Sequence, residues 1–439
     1  MTSPVTARRR IAGASIGNLG ELYDFFLFGF SAPVLAVHFF PKSNPTAAML
    51  GTFAVYALAF FARPLGGLLF GFLGDRKGRI NVLTTTVLLM GACTTAAGLL
   101  PTFESVGVLA PVLLVVCRLG QGLSLGGESS GSYAYVIESA PEGRRARWVG
   151  FAACTAFLPA ALVGILVLAV RSGMGEAAYV GWGWRIPFLI GGVLGAAGFW
   201  LRKRLDDPEE FTEAAIEKAA DDPLRTAARP RIKSMLLVTL LGSAHAVVSY
   251  LLLGFMYTFL VQVAGLGHTA ALLSNAGAVA VLALLFPVFG ALADRVGRKP
   301  LLLSGTALLA VVAYPAFKLA SSGTVAGACL GQVLLVLAAA PCVAAGFVAQ
   351  LELFPTAVRC TGHAISSNLG NAIFGGTAPL IAAALVTGFG SPLAPAFYGV
   401  AIGVFAFLVV LVLPETRRYR LRDASARRDE ERKVLQAEG

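Results

Sequence analysis

The chain has 439 residues, of which 56% are hydrophobic and only 13% charged; its mean hydropathy is +0.75 and its formal net charge +11. A soluble domain carries about 25% charged residues, so the composition excludes a soluble globular enzyme, and the 50 glycines show no three-residue collagen period. In so apolar a chain the positive charge reads as basic loops at a membrane face, not as a nucleic-acid surface.

A bilayer-crossing helix needs about 20 mostly apolar residues. Twelve such spans lie near 13–40, 47–73, 82–101, 107–138, 148–171, 184–203, 235–264, 270–293, 300–320, 325–352, 362–388 and 394–414. No ten-residue segments alternate in polarity, so the expected fold is an all-α membrane protein and not a barrel. Arg8, Arg9 and Arg10 precede an apolar run too long for a cleavable signal, which is expected to stay as the first span. The loops on the N-terminal side of the membrane hold 29 of the 35 Lys and Arg residues. That asymmetry puts both termini in the cytoplasm. The polar stretch at 204–234 divides residues 1–203 from 235–416, six spans from six, and 417–439 forms a charged cytoplasmic tail.

The two halves repeat. Gly71-x-x-x-Asp75-x-x-Gly78-Arg79 follows span 2, and Gly290-x-x-x-Asp294-x-x-Gly297-Arg298 follows span 8, 219 residues later at every member. A looser pair follows spans 4 and 10: Glu138 with Pro141, Arg144 and Arg145, against Glu352 with Pro355 and Arg359. Glycine lets two helix ends approach, and aspartate accepts from helix N-terminal amides or arginine. Such contacts suit a gate that latches and releases. Repeated six-span halves are the construction of secondary transporters.

These features resemble the major facilitator superfamily, and narrower matches point to its metabolite:proton symporter family. Span 1 reads Gly17-Asn18-x-x-Glu21-Leu22-Tyr23-Asp24-Phe25, with Leu22 where that family's signature has Trp. Span 4 carries Arg118-x-x-Gln121-Gly122-x-x-x-Gly126-Gly127-Glu128, span 11 Asn368-x-Gly370-Asn371, and the last span ends in Pro414-Glu415-Thr416. The resemblance implies twelve transmembrane helices in two pseudo-symmetric bundles. It also implies proton-driven uptake of a small metabolite by a bacterial inner-membrane protein that works as a monomer, with no cofactor and no nucleic-acid partner.

Ionisable side chains within a span are costly and are functional candidates. Five occur away from span ends, all in the first half: Glu21, Asp24, Arg63, Arg118 and Glu128. Depth counting places Arg63 level with Glu21 and Glu128, as an ion-pair network, and Arg118 higher, facing the cavity. Arg118 is expected to grip a substrate carboxylate in a bidentate fork. Asp24, with Glu21 and Glu128, is expected to carry the coupling proton. Asn18, Tyr23, Gln121, Asn368 and Asn371 are expected to line the cavity. The leading cargo is a small carboxylate; a zwitterion such as proline or betaine is the alternative, and drug antiport or a membrane receptor rank below. His245 in span 7 reads more simply as a packing residue than as a relay. None of the four histidines has metal-ligand spacing, and no motif for a bound cofactor occurs.

Overall fold

In hydrocarbon every backbone amide must bond within its own segment, so long apolar runs have helix as their one economical solution. The computed structural model describes residues 23–77, 79–126, 133, 136–138, 140, 141, 143–202, 232–354 and 359–417. The helices are α1 (Tyr23–Phe39), α2 (Pro45–Lys77), α3 (Arg79–Leu99), α4 (Leu109–Gly126), α5 (Arg145–Met174) and α6 (Arg185–Arg202). The second half has α7 (Ile232–Gln262), α8 (His268–Val296), α9 (Arg298–Ala320), α10 (Val325–Glu352), α11 (Arg359–Gly370, continued to Ala378–Phe389) and α12 (Ala394–Val412). Among the described residues nine helices are long and apolar enough to cross a membrane, and three shorter apolar helices bring the set to twelve. The all-α, twelve-helix expectation therefore stands. Helix α7 begins at Ile232, three residues before its expected start, because nothing in Ile232-Lys233-Ser234 breaks a helix. Most of the 204–234 segment, and the tail beyond Arg417, lie outside the described residues.

Small residues set how closely the helices approach, since lipid offers no hydrophobic drive between them. Helix α4 lies against α2 along Gly122 and Gly126, where an added Cβ would sit 2.0 Å from the Ala59 carbonyl oxygen and 1.9 Å from that of Arg63. Helix α5 runs along α8, joining the first half of the chain to the second. A Cβ at Gly290 of α8 would lie 2.4 Å from the Ala146 carbonyl oxygen of α5. Gly290→Val is therefore expected to lose transport and protein yield together, because backbone cannot retreat as a side chain can. Normal uptake and normal thermal stability in that variant would contradict the packing described.

Two helices are interrupted by π-helical turns, α7 at Leu251–Phe255 and α11 at Asn371–Gly376. Such turns often mark functional sites in membrane and soluble helices. Here they flank an aromatic contact between the halves. Phe60 of α2 meets Tyr250 of α7 edge to face, with ring centroids 4.8 Å apart, and Phe25 and Tyr56 pack behind Phe60.

Candidate functional site

Asp24 is the second residue of α1 and points at α4. Its Oδ2 accepts from Arg118 Nη1 at 2.7 Å. Its Oδ1 accepts from Gln121 Nε2 at 2.7 Å and from Thr94 Oγ1 of α3 at 2.9 Å. Arg118 Nη1 also donates to Gln121 Oε1 at 2.9 Å. Arg118 and Gln121 meet one partner because three residues along a helix share a face. Asp24 and Arg118 are each 1% exposed and Gln121 is fully buried. A buried ion pair is stable only when its remaining donors and acceptors are also satisfied. Asp24 meets that condition and Arg118 does not: its Nε and Nη2 have no hydrogen-bond partner among the described residues. Phe28 and Phe25 cover the guanidinium face at 4.2 and 4.8 Å. Arginine here has one terminal nitrogen committed and a two-donor edge uncommitted, which is the geometry that receives a carboxylate side-on.

Depth counting put Asp24 between the Arg63 layer and the higher Arg118. The structure brings them into contact, because a long arginine side chain spans the difference in backbone height. Thr94 had no signal in the sequence, since a threonine in an apolar span reads as neutral filler. Arg63 is also buried, with its guanidinium 4.4 Å from the Phe25 ring and 4.3 Å from the Phe60 ring and its Nε without a hydrogen-bond partner among the described residues. The carboxylates expected beside it, Glu21 and Glu128, lie outside the described residues, as do Asn18 and Gly78. Gly71 and Asp75 fall in α2 and Arg79 opens α3, without described side chains. Tyr23 departs from its expected cavity role: its hydroxyl donates to the Pro187 carbonyl oxygen at 2.6 Å and ties α1 to α6. Asn368 is buried in α11, and Asn371 starts the π turn half-buried.

The second copy of the loop motif forms a dense latch at the end of the molecule that the charge asymmetry assigns to the cytoplasm. Asp294 accepts from the backbone N–H groups of Ala146 at 3.0 Å and Arg147 at 2.9 Å. A carboxylate there meets both unpaired amides and the positive end of the α5 dipole. Arg298 holds Glu352 in a fork at 3.1 and 3.0 Å and reaches Asp294 at 3.2 Å. Gly297 sits at φ +118°, which a side chain would resist, and lets the chain turn sharply between Asp294 and Arg298. Arg359 crosses between the halves to Glu138 at 2.6 Å. Of the two arginines in the motif, Arg144 is exposed at the N-cap of α5, and Arg145, turned inward, approaches Glu352 at 3.8 Å. The Pro414-Glu415-Thr416 ending has a role that its sequence alone did not reveal. Glu415 caps α9 by accepting from the N–H groups of Arg298 and Lys299, both at 3.0 Å, and Thr416 donates to Glu352 at 2.6 Å.

The opposite end carries a second set that the sequence placed in a loop. Arg171 is buried at the end of α5, pairs with Glu176, and donates to Tyr257 of α7 at 3.2 Å. Tyr257 in turn shares a hydrogen bond with His268 at 2.9 Å. The hydrogen bonds from Arg171 hold the Glu176 carboxyl below its usual range, against the small opposing effect of burial. Its contribution to this contact is thus present at neutral pH and is lost only as pH falls through that lowered value. An arginine just past an apolar run looks like a flanking charge, and only the partner helix shows otherwise.

The profile for sugar (and other) transporters matches residues 11–426. The chain belongs to that family, within the major facilitator superfamily. It is a transporter, not an enzyme. It is 32% identical over 438 residues to the proline/betaine transporter of Escherichia coli (strain K12), covering 95% of this chain and 85% of that protein. It is 33% identical over 439 residues to the glycine betaine/proline/ectoine/pipecolic acid transporter OusA of Dickeya dadantii (strain 3937), with the same coverage. It is 34% identical over 416 residues to the alpha-ketoglutarate permease of Escherichia coli (strain K12), covering 94% of this chain and 95% of that one. The partially occluded inward-open form of the xylose transporter XylE from E. coli shares the fold of this transporter, with a TM-score of 0.74 at 20% identity over 93% of this chain and 98% of that one.

Proposed function

We propose that this transporter is a proton-coupled importer of a small zwitterion of the proline or betaine type. The supporting observation is the uncommitted Nε and Nη2 edge of Arg118 beside an arginine charge already matched by Asp24. A zwitterion adds no net charge to that matched pair. Its carboxylate takes the free arginine edge. The printed names of the relatives favour the same order, with proline and betaine ahead of the carboxylate that the sequence alone put first. The second reading is an oxo acid, favoured by the alpha-ketoglutarate permease match.

Coupling follows from competition at one guanidinium. Asp24 and the cargo carboxylate both seek Arg118. A proton on Asp24 strengthens the grip of the free Arg118 edge on the cargo carboxylate, and loss of that proton restores the full ion pair and weakens that grip. The halves 1–203 and 235–416 rock about this site. The Asp294, Arg359 and Glu138 contacts latch the cytoplasmic end, and the Arg171 set latches the outer end. The setting is a bacterial inner membrane with both termini cytoplasmic, and the working unit is a monomer.

Purified protein in vesicles, with labelled glycine betaine, proline and alpha-ketoglutarate offered under an inward proton gradient, tests this. Accumulation of a zwitterion with alkalinisation of the outside supports the proposal. Accumulation of alpha-ketoglutarate alone supports the second reading, and uptake unaffected by collapsing the gradient overturns proton coupling.

A further inference from the structure

The second half of the chain has no acidic or basic residue in mid-span, yet it buries a polar cluster near the latch. His245 of α7, Gln350 of α10 and His363 of α11 are 7%, 0% and 4% exposed. Gln350 Nε2 and His245 Nδ1 are 3.3 Å apart. Both ring nitrogens of His363, and Gln350 Oε1, have no hydrogen-bond partner among the described residues. Gly346 leaves the room between them: an added Cβ would touch His245 Nδ1 at 3.8 Å and Gln350 Nε2 at 4.0 Å.

The unmet groups define what fits. A neutral imidazole offers one donor and one acceptor, and the amide oxygen is a second acceptor. Two acceptors and one donor match water, which both donates and accepts, and reject a carboxylate, which only accepts. Buried polar atoms left by the protein are ordinarily met by such water. The cluster also has a cover that moves with the gate. His245 lies against Phe347, with ring centroids 5.2 Å apart, and Phe347 stacks at 5.1 Å on Tyr133 from the first half of the chain. Parting the halves at this end pulls Tyr133 off Phe347, the ring that covers His245.

We propose that His245, Gln350 and His363 hold bridging water and form a proton-release station on the cytoplasmic side, a reading that rests on proton symport. A proton leaving Asp24 passes through water to the free nitrogen of an imidazole, and the proton on the other nitrogen leaves to the cytoplasm. The charged and titratable groups around the cluster are Arg298 at the head of α9, Glu352 two residues on along α10, Arg359 one turn back on α11, and Tyr133 beyond Phe347. Arg298 and Glu352 neutralise each other in the latch, and Arg359 is held by Glu138. The imidazoles are thus the groups with hydrogen-bonding capacity left to pass a proton.

His245→Gln and His363→Gln keep polar bulk and remove titration, and Gly346→Ala crowds out the water while keeping both imidazoles. In vesicles, with labelled glycine betaine and alpha-ketoglutarate in parallel, all three variants are expected to lose about tenfold in pH-driven accumulation. Each should keep equal-pH exchange within about twofold, since exchange needs no net proton release. Wild-type accumulation in the variants overturns the station alone. Absence of pH-driven accumulation of either probe in the wild type overturns symport and the station together. Should one glutamine variant not fold, the other and Gly346→Ala decide.

Discussion

Asp24→Asn is expected to abolish uphill accumulation while leaving exchange of cargo across the membrane measurable. The asparagine keeps an oxygen for Thr94 and Gln121, so the hydrogen bonds at 2.9 and 2.7 Å have a successor. What is lost is the negative charge that competes for Arg118. The variant resembles the protonated carrier permanently: cargo binds the free guanidinium, and no deprotonation drives it off. Removing one partner of a buried ion pair costs about 3–5 kcal/mol, so lower stability without cargo and recovery with it are part of the expectation. The measurement is accumulation against counterflow in the same vesicles. A variant that still concentrates cargo under a pH gradient would remove Asp24 from coupling.

Asp294→Ala is expected to open the cytoplasmic end. Its carboxylate makes two charge-assisted bonds to the start of α5, at 3.0 and 2.9 Å, and such bonds are worth about 1.5–3 kcal/mol each. Loss of about 3 kcal/mol from one of two alternating states shifts their ratio by about a hundredfold. The change is read as the labelling rate of Phe347→Cys by a water-soluble maleimide, in an otherwise cysteine-free background. Phe347 is covered by Tyr133 when this end is closed. An unchanged labelling rate would show that the Asp294 contacts do not decide which state is populated. The Arg298–Glu352 fork predicts a contrast. It joins α9 to α10 within the second half, so its loss is expected to lower stability more than to shift the gate.

Much of the architecture was legible from hydropathy, because a backbone in lipid has so few permitted conformations. The doubled Asp–Arg loops were legible as a repeat because a spacing of 219 residues recurs at every member. What those loops bind was not legible. Asp294 contacts backbone amides of residues nearly 150 positions away, and an amide carries no side-chain signature. Glu415 and Thr416 looked like a motif without chemistry until α9 was seen to start against Glu415 and Glu352 to accept from Thr416. Tyr23 and Arg144 went the other way. Their residue types suited a cavity and a gate, and their orientations gave them to Pro187 and to solvent.

Charge content determined, without any coordinates, that the chain is a membrane protein, and its distribution selected Asp24 and Arg118 as residues that a bilayer would tolerate only for a reason. The tertiary structure decided that these two belong to each other, and that one edge of the arginine stays uncommitted. It also decided that the uncharged half buries two histidines behind an aromatic cover. The physical reason is one of range. Burial cost is a property of a residue and its segment, so sequence carries it. Hydrogen-bond satisfaction is a property of pairs, and the pairs here join helices that only folding brings together.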